Sequence, residues 1–139
     1  MQETKKVNLK KAADEFEMID QETRVFYNTE TGEFDFFTEF MRDGGGYDID
    51  KFDEEEYWIQ APRHYDLNEY DIMADFAENV SDPQKSNLLA VALRGKGAFR
   101  RFKDTLHRIG LTEEWYAFKH NEYVKIAKEW CEDNDLEYD

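Results

Sequence analysis

The sequence predicts a small α+β domain: an antiparallel sheet of about three strands, one helix before it and a bundle of about four helices after it. Three observations carry this. Residues 23–62 contain short aromatic and β-branched runs separated by turn residues, the pattern of antiparallel strands. From Asp66 onward, apolar residues recur at spacings of three and four, the helical period. The chain has 139 residues, 40% hydrophobic and 16% aromatic, which fits one folded domain over 1–139 with a real core. A disordered acidic chain is poor in aromatics.

The elements follow in order. Leu9, Ala12, Ala13, Phe16 and Ile19 form the apolar stripe of a helix over 8–19, with Asn8 as its N-cap. "TRVFYNTETGEFDFF" (23–37) reads as a hairpin with Gly32 near the end of its turn. The stretch 42–54 has three successive glycines and dense acids, so a flexible loop is expected there. "YWIQAP" (57–62) reads as a third strand that Pro62 ends, because proline has no amide to donate. Asp66 with Glu69 has the spacing of a capping box, and Tyr70, Met73, Ala77 and Val80 are expected to line one face of the helix that follows. Asp82-Pro83 starts the next helix, a cap followed by proline at the first helical position. "AFRRFKDTLHRI" (98–109) is a further helix closed by Gly110, with Phe99, Phe102, Leu106 and Ile109 as its core stripe. Thr112 opens the last helix, which runs through Trp130 or slightly beyond, with Trp115, Phe118, Tyr123, Ile126 or Ala127, and Trp130 inward.

Charge narrows the function classes. The formal net charge is −15. Residues 13–82 hold 22 acidic and four basic residues, a net of −18. Residues 94–108 hold six basic residues against Asp104 alone, a net of +5. Repulsion from the whole chain disfavours nucleic-acid binding. No apolar run reaches the length of a membrane span. The N-terminus lacks the apolar core of a secretory signal, and the single cysteine, Cys131, excludes an internal disulfide. A cytoplasmic protein is the expectation.

The basic segment "ALRGKGAFRRFKD" (92–104) is the candidate site. If Gly95 ends one helix and Gly97 starts the next, the backbone amides near 97–100 lack intrahelical partners, and the helix dipole favours an anion there. Arg94, Lys96, Arg100, Arg101 and Lys103 add charge. The expected ligand is a small anion or an acidic protein. The nucleotide-binding G-x-x-x-x-G-K-[ST] loop is not present. A helix-hairpin-helix turn for nucleic acid also uses G-x-G, but Lys96 stands where that motif wants an apolar residue. The competing reading is structural: the Arg and Lys residues are the solvated face of a helix, or pair with the acidic half.

Other chemistry is weaker. His64, His107 and His120 have no metal-ligand spacing with one another or with Cys131, so no metal and no cofactor are expected. "YDIDKFDEEE" lacks the residue order of an EF-hand loop. Glu54, Glu55 and Glu56 are not differentiated into an acid and a base. Cys131 has no basic neighbour in sequence to activate it. Trp115, Tyr116 and Phe118 sit at helical spacing, which favours core over base stacking. No catalytic residue is assigned.

"LNEYDIMADFAENV", "ALRGKGAFRRFKDTLHRIGLTEEWYAFKHNEY" and "IAKEWCEDNDLEY" resemble the uncharacterised bacterial protein family numbered 0158. The resemblance is strong over 66–138 and looser over "VNLKKAADEFEM…YNTETGE". It implies a bacterial cytoplasmic protein and brings no catalytic residues. Three functions stay open: a binding or regulatory domain using the basic patch, an acidic mimic of nucleic acid that occupies a basic protein, and an enzyme acting on a phosphorylated small molecule.

Overall fold

A computed structural model describes residues 6–38, 52 and 55–139. The fold is α+β, with a three-stranded antiparallel sheet. The order is α1 (Leu9–Glu17), β1 (Thr23–Asn28), β2 (Phe34–Thr38), β3 (Trp58–Gln60), the single helical turn α2 (His64–Leu67), then α3 (Glu69–Asn79), α4 (Pro83–Ala92), α5 (Ala98–Arg108) and α6 (Thr112–Asp133). The chain divides into two compact units, 1–67 with 123–139, and 68–122.

In the first unit β1 is the central strand, paired with β2 on one side and β3 on the other. Both of its faces are covered, which is why "VFY" reads as an unbroken apolar run rather than an alternation. Phe26 lies on one face with Phe37, Phe52 and Trp58, and its ring stacks on Phe52 at 3.9 Å between centroids. Tyr27 lies on the other face, where Phe34 and Trp130 meet it at 4.9 and 5.8 Å. Trp130 also donates its indole N–H to the Gln60 carbonyl at 2.9 Å and meets Phe16 of α1 edge-on. The C-terminal end of α6 is thereby fixed to the sheet and to α1. Asn8 caps α1, accepting from the Lys11 amide at 3.0 Å. The turn before β2 uses Gly32 at φ 75°, a left-handed backbone that favours glycine. Apart from Phe52, the loop expected at 42–54 lies outside the described residues.

Cys131 is fully buried in this unit. Burial, reinforced by the Glu132 charge, pushes its thiol up to about 11. An aromatic disulfide reagent at pH 8 is therefore expected to leave the native thiol unlabelled and to label it at the rate of unfolding. The neutral thiol is the form the fold favours. Its contribution to stability is full below the unfolded value of about 8.5 and is lost as pH rises toward the folded one. Rapid native labelling, at a rate independent of protein stability, would show that the site is open.

The second unit holds α3, α4, α5 and the start of α6. Its centre is Met73, Phe76, Leu89, Phe102, Leu106 and Trp115. The rings of Phe76 and Phe102 meet Trp115 edge-on at 5.5 and 5.1 Å. Asp82 caps α4, accepting from the Gln84 and Lys85 amides at 2.9 and 3.3 Å, with Pro83 in the first turn.

Three local expectations need correction. Asp66 does not cap α3. It sits inside the short turn α2 and accepts from the Arg63 amide at 3.1 Å, while Asn68 is the residue before α3, in a left-handed conformation that asparagine tolerates. The buried face of α3 is Ile72, Met73, Phe76 and Ala77. Tyr70 is exposed and Val80 lies beyond the helix end, so the inward stripe is displaced from the expected one. On α5 the buried residues are Ala98, Phe102, Thr105 and Leu106, and Phe99 is 48% exposed. Phe102 and Leu106 are the most deeply buried of these, and Phe99 lies at the edge of that face and turns out.

Candidate binding site at the glycine-lysine-glycine turn

The basic segment forms the turn between α4 and α5. Gly95 and Gly97 both adopt left-handed backbone, φ 73° and 76°. A side chain at either position costs about 1–2 kcal/mol. At Gly97 a Cβ would also stand 3.2 Å from Arg101 Nη1. Glycine at 97 is favoured by the backbone, and a Cβ there would also make the passing guanidinium give by a few tenths of an ångström.

Arg101 organises the turn from within. Its Nε donates to the Ala92 carbonyl at 3.1 Å, Nη1 to the Lys96 carbonyl and Nη2 to the Arg94 carbonyl. Tyr70 donates its hydroxyl to the Leu93 carbonyl at 3.1 Å. Carbonyls at the end of a helix lack intrahelical partners and carry the negative pole of its dipole. Here a cation and a phenol supply those partners. Arg101 is consequently the staple of the turn, with three of its donor bonds spent on backbone.

Arg94, Lys96, Arg100 and Lys103 are exposed, as Arg101 is, but they do not share its hydrogen bonds to the carbonyls of the turn. No carboxylate among the described residues forms an ion pair with any of them. Gly97, before α5, has no side chain to cap the helix, so the amides of Ala98, Phe99 and Arg100 have no side-chain cap. The turn brings Arg94, Gly95, Lys96 and Gly97 to the start of the helix that carries Arg100, Arg101 and Lys103.

A cleft of about 340 Å³ runs beside this turn, between α4 and α5. Its apolar wall is Leu88 and Val91 of α4, 42% and 46% exposed. Its polar wall is Arg101, Asp104 and Arg108 of α5. Sequence reasoning did not find this cleft. The available signal was in "NLLAVAL": Leu88, Leu89, Val91, Ala92 and Leu93 are more apolar residues than one face of a helix buries.

Among the described residues no group of three His, Cys, Asp or Glu side chains is placed to hold a metal ion. Among the same residues, no helix is long and apolar enough to cross a membrane.

A three-stranded sheet with a helical half and a stapled basic turn defines this α+β protein. The chain belongs to the uncharacterised protein family UPF0158, whose sequence pattern matches residues 4–139. A relative in Pseudomonas aeruginosa, itself named as a UPF0158 protein, is 33% identical over 67 residues, 48% of this chain and 44% of the relative. The matched part therefore spans less than half the length of that relative. No solved structure matches the chain.

Proposed function

We propose that the protein is a non-enzymatic binding or regulatory domain that takes an anionic ligand or an acidic partner at the turn between α4 and α5. One observation carries this reading. In a chain of net charge −15, Arg94 and Lys96 of the turn and Arg100 and Lys103 of α5 are all exposed, and the start of α5 has no side-chain cap. Cationic side chains and uncapped amides together form charge-assisted hydrogen bonds to carboxylate or phosphate. The staple made by Arg101 supports the reading because it holds the turn in one shape before any ligand arrives, which lowers the ordering cost of binding.

The test uses Arg100→Glu. Arg100 is exposed, so the variant is expected to unfold within about 0.5 kcal/mol of the wild type. In affinity capture from bacterial lysate, read by mass spectrometry for proteins and small molecules, recovery of the specific partner is expected to fall about tenfold, equivalent to about 1.4 kcal/mol. Capture is also expected to weaken as salt rises. If Arg100→Glu folds normally and retains every partner at unchanged affinity, the basic face is only a solvated counterweight in an acidic protein.

A further inference from the structure

We infer that the cleft between α4 and α5 docks an acidic amphipathic helix from another protein. This rests on the reading of the basic turn as a partner site and names the chemistry of the partner. Leu88 and Val91 are three residues apart on α4 and present two apolar side chains to solvent within one turn. Arg108 faces them across the cleft, together with Arg101, which keeps its positive charge and two of its five N–H donors beyond the three spent on the turn. The result is an apolar strip beside a basic one. A small anion uses only the basic strip, whereas an amphipathic segment uses both.

Spacing selects a helix over a strand. Arg101 and Arg108 are seven residues apart on α5, a rise of about 10 Å. Two acidic residues two turns apart on a helix lying along α5 have the same separation. Same-face positions on a strand repeat at about 6.6–6.8 Å and fall out of step with the two arginines. Leu88 and Val91, about 4.5 Å apart along α4, match apolar residues at i and i+3 or i+4 of the same helix. Asp104 lies between the two arginines along α5 and repels a carboxylate there. The partner is therefore expected to be acidic at two positions two turns apart and neutral or basic between them. A second copy of this chain brings a further net charge of −15 with it, whereas a partner helix needs only the two carboxylates that meet the arginines, so repulsion opposes the second copy more.

The experiment is fluorescence anisotropy on the full chain. The probe is a labelled helical peptide of about five turns, about 18 residues, with leucines one and two turns apart and glutamates flanking them. A scrambled peptide of the same composition and labelled polyglutamate are the comparisons. The amphipathic peptide is expected to bind at least about tenfold tighter than the scrambled one. Leu88→Gln with Val91→Gln leaves the charge unchanged. It is expected to remove most of that advantage while polyglutamate binds as before. Asp104→Asn is expected to tighten the amphipathic peptide, and Arg108→Gln to weaken it. All of these residues are exposed, and each variant is checked by its unfolding midpoint.

Equal binding of the amphipathic and scrambled peptides, with Arg100→Glu still weakening polyglutamate, overturns the docked helix and leaves the anion reading standing. No effect of Arg100→Glu on either probe overturns both. Sedimentation that shows a dimer abolished by Leu88→Gln with Val91→Gln overturns the foreign partner and gives the cleft to a second copy.

Discussion

Phe102→Ala is expected to cost about 3–5 kcal/mol of stability, while Phe99→Ala on the same helix costs within about 0.5 kcal/mol. Both changes remove a phenyl ring from α5 and leave the same methyl group, so helix propensity cannot separate them. Surroundings do. Phe102 is fully buried, with Phe76 at 6.4 Å and Trp115 at 5.1 Å between ring centroids. Its removal leaves a void that two edge-on aromatics cannot close without losing their own contacts, so a cavity cost adds to the transfer cost. Phe99 is 48% exposed and leaves no enclosed void. Urea unfolding of the two variants, at an unchanged dependence on denaturant, measures the difference. Two values within about 1 kcal/mol of each other would mean that the inward face of α5 is not the one described. The outcome bears on function, because the face that buries Phe102 also sets which way Arg100, Lys103 and Arg108 point.

How far the chain is readable from its residues follows from the range of each signal. Local chemistry was legible. Asn8 and Asp82 cap helices because a short side chain reaches an amide two or three residues away, and the pattern depends on nothing distant. The three strands were legible because residues 23–60 combine β-branched and aromatic runs with turn residues between them. The capping box at Asp66 failed because the spacing to Glu69 is necessary but not sufficient. An intervening left-handed Asn68 reset the helix start. Phe99 failed for another reason. Apolar spacing defines a stripe only to within a residue on either side, and Phe99 falls at the edge of the face that buries Ala98, Phe102, Thr105 and Leu106. The candidate site was legible as a set of residues and not as a division of labour. No sequence rule says that Arg101 turns back across nine residues to the Ala92 carbonyl while its neighbour Arg100 stays in solvent.

That division gives the second large effect. Arg101→Gln is expected to destabilise the protein by about 2–3 kcal/mol, against within about 0.5 kcal/mol for Arg100→Gln. Each variant removes one positive charge from adjacent positions of one helix, so long-range electrostatics and propensity nearly cancel between them. What differs is the staple. Arg101 satisfies the carbonyls of Ala92, Arg94 and Lys96, and glutamine cannot span all three. Part of the loss is recovered by water, because the guanidinium is exposed at its tip, which keeps the effect below that of a buried ion. Arg101→Lys is expected to recover less than half of it, since a single ammonium lacks the planar fork that meets separate carbonyls at once. Thermal unfolding of the three variants measures the order Arg100→Gln, Arg101→Lys, Arg101→Gln, from least to most destabilised. Equal destabilisation by Arg100→Gln and Arg101→Gln would remove the staple. With the order as expected, an Arg101 variant that loses its ligand has lost the shape of the turn. The Arg100 variant then reports on charge offered to the ligand without a change in the turn.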